Sequence, residues 1–154
     1  FCMSNLSVHF SSETNEWETP DELFSVLDCF FRFTLDAAST EQNKKCDKYF
    51  TIETDGLSQS WENEVVWLNP PYGRDIGKWV RKAYEESLNG NTTVVMLIPS
   101  RTDTSYWHEY VMKASDIHYI KGRVKFKNKV KGENAPAPFP SAIVVFGGWK
   151  QWIS

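Results

Sequence analysis

Four consecutive apolar residues, Val65–Leu68, run without a spacer into Asn69-Pro70-Pro71-Tyr72. Val-Val-Trp-Leu shows no polar alternation and is too short for a stable helix, so it reads as a strand buried on both faces. The prolines end it abruptly. Each holds φ at about −65° and neither supplies an N–H, so no ladder or helix continues through them. A strand covered on both faces needs a layer above and a layer below, which points to a sheet between helices.

The rest of the chain supplies those layers. Residues 20–30 predict a first helix, with Thr19 as its cap, Pro20 in its first position, and Asp21 and Glu22 at its positive end. Leu23, Phe24 and Leu27 form its apolar stripe. Residues 31–37 predict a short buried strand, and 46–51 a weaker one. A helix over 76–88 carries Trp79, Val80, Ala83 and Tyr84 on one side and stops at Asn89-Gly90-Asn91. Residues 93–98 are another apolar strand, and 103–113 a further helix. Residues 117–120 and 141–146, with a basic stretch and a Pro-rich connection between them, predict two antiparallel strands. The class is therefore α/β, a mostly parallel sheet with an antiparallel edge hairpin and helices on both faces. Ligands in such sheets sit beyond the carboxyl ends of the strands, where Asp36, Asp55 and the 69–72 tetrad fall.

With 154 residues, 41% of them hydrophobic, the chain can form one domain that buries roughly two-thirds of its unfolded surface. That domain is expected over 15–150, behind a polar tail at 1–14. No apolar run approaches the ~18–20 residues that span a bilayer. The opening FCMSNLSVHFSS has no basic flank ahead of an apolar stretch, so it does not read as a secretory leader, and Met3 reads as the natural start. Cys2, Cys29 and Cys46 form no C-x-x-C pair, and His9, His108 and His118 lack ligand spacing, so no metal is expected. Sparse, odd thiols suit a reducing cytoplasm.

Charge is distributed unevenly. Lys121, Arg123, Lys125, Lys127, Lys129 and Lys131 lie within eleven residues that contain no acid; taking those six charges from the net −3 leaves −9 elsewhere. A positive strip on an acidic body suggests a local polyanion contact. Lys121 to Lys129 alternate, so on an extended strand they share one face while Val124 and Phe126 point to the other. That suits phosphate contact, and it equally suits an edge strand guarded by lysines against aggregation.

The tetrad suggests a specific chemistry. An aromatic exocyclic amine is a weak nucleophile because its lone pair is delocalised into the ring. Methylating it requires the amine to be held by both hydrogens with the lone pair aimed at an electrophilic carbon. The side-chain carbonyl of Asn69 and the main-chain carbonyl of Pro70 are two acceptors on a stiff frame, Pro71 keeps the second from entering a helix, and Tyr72 offers a flat surface for a base. A rigid turn closing a strand is the plainer reading of the same residues.

At this tetrad the chain resembles amino-directed DNA methyltransferases. Along residues 15–147 it is similar to the small phage-type DNA N6-adenine methyltransferases (Dam-like), through Trp17-Glu18-Thr19-Pro20, Leu35-Asp36-Ala37-Ala38, Asp55-Gly56-Leu57, Trp61, Asn69–Tyr72 and Pro138-Phe139-Pro140-Ser141. The resemblance implies a Rossmann-like fold, S-adenosylmethionine as methyl donor and N6 of a flipped adenine in double-stranded DNA as acceptor. It implies that Trp17, Thr19 and Pro20 hold the methionine end of the donor, with Asp36 and Ala37 near its amino group and Asn69 also among the donor-binding residues. It assigns the donor's adenine amine to Asp55 and Gly56, with Leu57 on the ring, and the ribose to Asp47. The usual glycine-rich turn after the first strand is replaced by Asp36-Ala37-Ala38-Ser39-Thr40-Glu41.

A flipped base needs a second stacking surface, for which Phe139 is the first choice and Phe126 the second. Arg74 and Arg101, each just past a strand-end motif, are candidates for phosphate or base contact. No separate target-recognition domain fits in this length, and the assembly is expected to be a monomer or homodimer. The resemblance also implies residence in the host cytoplasm and protection of phage DNA. Three alternatives stay open: another amino substrate (cytosine N4, an RNA base, a protein glutamine), a silent DNA-binding module, or a nuclease using Asp36, Asp47 and Asp55.

Overall fold

A computed structural model describes residues 17–127 and 134–148; the expected polar tail and Lys129 and Lys131 lie outside them. The elements are α1 (Asp21–Phe31), β1 (Leu35–Asp36), β2 (Val65–Leu68), α2 (Ile76–Ser87), β3 (Thr93–Pro99), α3 (Ser105–Glu109), β4 (Asp116–Tyr119), β5 (Lys125–Phe126), β6 (Ala135–Pro136) and β7 (Ser141–Phe146). Short 3₁₀ turns stand at Gly56–Ser58 and Val111–Lys113.

The five-stranded sheet has the order β1-β2-β3-β7-β4. Strands β1, β2 and β3 are parallel, and β7 runs antiparallel between β3 and β4. The expected antiparallel pair is thus present, but its later member lies one place in from the edge. With a neighbour on each side, β7 is buried along its length, whereas β4 forms the edge and is largely exposed. The basic stretch joins neither strand. It pairs instead with the Pro-rich connection as a separate ribbon, β5 with β6.

Register and side-chain alternation sort the two faces. Trp67 and Val95 share one face, where the Phe24 ring of α1 meets Trp67 at 5.5 Å between centroids. Val94 and Phe146 share the other, where Tyr84 of α2 meets Phe146 at 6.1 Å. Both faces therefore carry helices, as the unbroken apolar strands require.

Local differences from expectation have local causes. Helix α1 runs through Phe31 and is closed by Arg32 at φ 57°, whose N–H donates to the Asp28 carbonyl. That reversal leaves β1 only two residues. Phe31 and Phe33 are apolar because they pack with one another and Phe33 with Phe24 and Trp67, not because they extend the strand. Residues 46–51 contribute a single bridge, Tyr49 beside Asp36. Pro20 rather than Thr19 occupies the cap position of α1, and no side chain caps it. Among the described residues no helix is long and apolar enough to cross a membrane.

The 3₁₀ turn at Gly56 packs against the loop after β1. A Cβ on Gly56 would stand 2.2 Å from the Ala37 carbonyl oxygen, and the Trp61 indole N–H donates to the Gly56 carbonyl (3.0 Å). This contact brings Asp55–Leu57 beside Asp36 and Ala37. Gly56→Ala should therefore lower the unfolding free energy by about 1–3 kcal/mol, read as a lower urea midpoint at unchanged slope.

Candidate active site

Parallel strands β1 and β2 end within one residue of each other, Asp36 opposite Trp67 and Leu68 one further, so the loops that follow them start side by side. Asn69 opens the second loop. Its side-chain amide donates to the Trp17 carbonyl and to the Thr19 hydroxyl (2.9 Å). A main-chain carbonyl only accepts, so the amide nitrogen must face Trp17 and Oδ1 must face the other way. That Oδ1 is buried and has no hydrogen-bond partner among the described residues. Buried polar atoms are nearly always paired, which marks this oxygen as waiting for a donor. Ser100 Oγ and Ser141 Oγ share its state, one just past β3 and the other opposite the end of β3. Unpartnered polarity thus collects at the carboxyl end of the sheet.

Pro70 is buried and Pro71 exposed. No N–H or O–H of the described residues bonds to the Pro70 carbonyl, which leaves a second acceptor beside the first. Tyr72 is 9% exposed, and its hydroxyl donates to the Leu97 carbonyl (2.8 Å). Burial pushes this phenol well above its usual pKa, so it stays protonated and is no general base. The Tyr72 ring meets Phe139 at 5.7 Å and Phe126 at 6.1 Å, and Trp17 packs edge-on against both, at 5.1 and 5.4 Å. Four aromatic rings therefore form one cluster that joins the tetrad, the opening segment, the ribbon and the connection before β7. Within it Phe126 is a core residue, 2% exposed, while Phe139 is half-buried on the connection before β7.

Asp36 is 2% exposed at the end of β1. Its two oxygens accept from the main-chain N–H groups of Ala38 (3.3 Å) and Lys45 (2.9 Å), which closes the loop that replaces a glycine-rich turn. Burial raises its pKa to about 6, against the lowering effect of those two bonds. Asp55, at φ 52°, turns its carboxylate onto the Leu57 N–H (3.3 Å), and both Asp55 and Asp47 are exposed. Leu57 packs on the core. Among the described residues no three His, Cys, Asp or Glu side chains converge as a metal site, so Asp36, Asp47 and Asp55 do not form the cluster a nuclease would need.

On the ribbon, Lys121, Arg123 and Lys125 are exposed while Val124 and Phe126 are buried, so the expected alternation holds across 123–126. Lys121, Arg123, Lys125, Arg74 and Arg101 make no ion pair among the described residues. Lys127 differs. Its ammonium sits 2.8 Å from Asp21 and 3.7 Å from Glu18, and its N–H donates to the Glu18 carbonyl. Lys45 also reaches Asp21 (2.8 Å), and the two lysines, Lys127 first, hold the Asp21 carboxyl at about 2. Asp21 and Lys45 thus belong to the site's framework. Sequence reading gave Asp21 only a helix-end role and passed over Lys45, because the pairs span 106 and 24 positions.

A stiff two-acceptor corner at the strand ends, beside an aromatic cluster, suits the amino-directed methyltransferases. A family model described as DNA N-6-adenine-methyltransferase (Dam) matches residues 7–154, and the chain belongs to that family. It is 39% identical over 108 residues to the DNA N-6-adenine-methyltransferase of Escherichia phage T1, covering 68% of this chain and 44% of that protein. It thus spans under half the length of that relative. It is 33% identical over 139 residues to the DNA N-6-adenine-methyltransferase of Haemophilus phage HP1, covering 88% of this chain and 80% of that protein. A putative methyltransferase of Escherichia coli, YfdM, is 34% identical over 65 residues, 38% of this chain and 71% of its own length.

The raised Asp36 carboxyl has a consequence for stability. Between the unfolded value near 3.8 and the folded value of about 6 the native state holds the extra proton. Protonation there favours folding, so this group's stabilisation is fully present at low pH and lost as pH rises through 6, a swing of at most ~3 kcal/mol. The stability of the wild type relative to Asp36→Asn should accordingly rise as urea unfolding is moved from pH 7 to pH 4.

Proposed function

We propose that this chain transfers a methyl group from S-adenosylmethionine to N6 of an adenine flipped out of double-stranded DNA, using a Rossmann-like methyltransferase fold in a single domain over residues 15–150. The observation that carries the reading is the buried, partnerless Oδ1 of Asn69 next to the Pro70 carbonyl. Two acceptors at a dry corner select a group with two hydrogens to give, which is an amine and not a carbonyl.

S-adenosylmethionine, when bound, supplies an electrophilic sulfonium methyl. The residues present fit such a cation: Asp36 is a buried carboxylate that ionises reluctantly until a positive group faces it. Trp17, Thr19, Pro20 and Ala37 line the same strand ends, and Asp47, Asp55, Gly56 and Leu57 are assigned to its nucleoside. For the adenine, Asn69 Oδ1 and the Pro70 carbonyl accept the two amine hydrogens and turn the lone pair out of conjugation. Tyr72 and Phe139 hold the ring. The catalytic contribution is positioning and electrostatics, without a strong base. Because Asn69 Oδ1 has no solvent access, a side chain must move for a base to enter, and half-buried Phe139 is assigned that role.

Arg74, Arg101, Lys121, Arg123 and Lys125, with Lys129 beyond the described residues, are assigned to the DNA backbone. Lys127 serves the framework instead.

Incubation with labelled donor and duplex DNA, followed by nucleoside mass spectrometry, should yield N6-methyladenine. Asn69→Ala should abolish transfer while the donor still binds in calorimetry. A silent DNA-binding module would bind DNA identically with and without that substitution and label nothing. Neutralising Lys121, Arg123 and Lys125 together should weaken DNA affinity and reduce the slope of log affinity against log salt by about 2–3. An unchanged slope would return the strip to the role of a solvated edge.

A further inference from the structure

Thr19 is 2% exposed, yet it neither caps α1 nor faces water. Its hydroxyl oxygen accepts one hydrogen of the Asn69 amide while the Trp17 carbonyl accepts the other. With both hydrogens engaged, rotating the amide by half a turn would break the buried bond to the Trp17 carbonyl and set Oδ1 against it, oxygen facing oxygen, and would force the Thr19 hydroxyl from acceptor to donor. We propose that Thr19 is a positioning residue for methyl transfer: with the Trp17 carbonyl it locks the Asn69 amide so that the corner presents only acceptors to the target amine. This rests on the adenine-methylation reading above and adds to it a residue whose work is done through Asn69, fifty positions away.

The lock follows from hydrogen-bond capacity. The Trp17 carbonyl alone fixes which end of the amide faces inward, but one bond leaves the amide plane able to swing about it. The second bond, at an angle set by the buried Thr19 side chain, fixes the plane. Oδ1 is then aimed by two residues of the segment before α1, on a frame that the Glu18–Lys127 bridge also ties down.

The test uses the whole chain. The Asn69 side-chain amide is followed by its ¹H–¹⁵N signals, assigned through their loss in Asn69→Ala. Wild type and Thr19→Ser should show both protons shifted downfield and slow to exchange. In Thr19→Val, which keeps shape and burial, one proton should move upfield and exchange faster. There kcat at saturating donor and DNA should fall about 10–100-fold, with KM for DNA within about twofold of wild type, and Thr19→Ser should restore kcat. Two rapidly exchanging protons in the wild type would overturn the proposal without any variant having to fold. So would an Asn69 pair unmoved by Thr19→Val, or a loss that shows entirely as weaker donor binding. Each of those results leaves adenine methylation standing. A wild type that methylates no adenine would instead sink the function, while the amide signals still read the bond.

Discussion

The site is assembled around one side-chain amide. Asn69 stands where β2 stops, and its two N–H bonds reach a stretch of chain some fifty residues earlier that has no helix or extended ladder of its own. By fixing the Trp17 carbonyl, those bonds also fix the Trp17 ring, and that ring is the surface on which Phe126 and Phe139 close. The tether thus links three parts at one corner: the opening segment, the ribbon that carries Phe126, and the connection that carries Phe139. Asn69 is therefore a structural centre as well as an acceptor, and the proline pair beside it supplies the rigidity that such a centre needs.

The charges repeat this division of labour. Asp21 gathers Lys127 from the ribbon and Lys45 from the loop after β1, and Lys45 gives its main-chain N–H to Asp36. An exposed ion pair contributes little alone, but here such contacts join the start of α1 to two segments that lack extensive hydrogen-bonded structure, the ribbon and the loop after β1. The cation spent on this framework is the one that turns inward at the end of the strip. Its neighbours Lys121, Arg123 and Lys125 stay outward and without ionic partners among the described residues. A cationic face without ionic partners among the described residues, on an acidic chain, presents the complement that a polyanion would meet.

What the sequence revealed depended on range. Val65–Leu68 and residues 93–98 were readable because a buried strand writes itself in consecutive residues, and α2 because Trp79, Val80 and Ala83 fall on one face. The end of β2 at the tetrad was readable because two consecutive prolines stop a strand without help from distant residues. Phe31 and Phe33 misled because an apolar residue beside a helix end looks the same whether it enters a strand or packs on Trp67. Thr19 before Pro20 has the form of a helix cap, and no local signal says that its hydroxyl is taken by Asn69. The position of β7, one strand in from the edge, was equally hidden, since strand order is decided by partners far away in the chain.

The dry acceptor at the corner bears on how the proposed reaction gains its speed. A carbonyl oxygen buried without a donor destabilises the resting protein by ~1–3 kcal/mol relative to one that is paired. Water would relieve that cost, but Oδ1 is buried from solvent. An incoming amine relieves it by donating its N–H bonds to the acceptors, which leaves its lone pair to point away from them. Part of the free energy stored in the closed corner is thus released only when the right group arrives in the right orientation, and the polar groups need not reorganise when it does. A corner open to solvent would have its acceptor satisfied in advance and would discriminate less between an amine and a carbonyl. In the proposed reaction, burial of the corner keeps the acceptor unsatisfied until the flipped base enters.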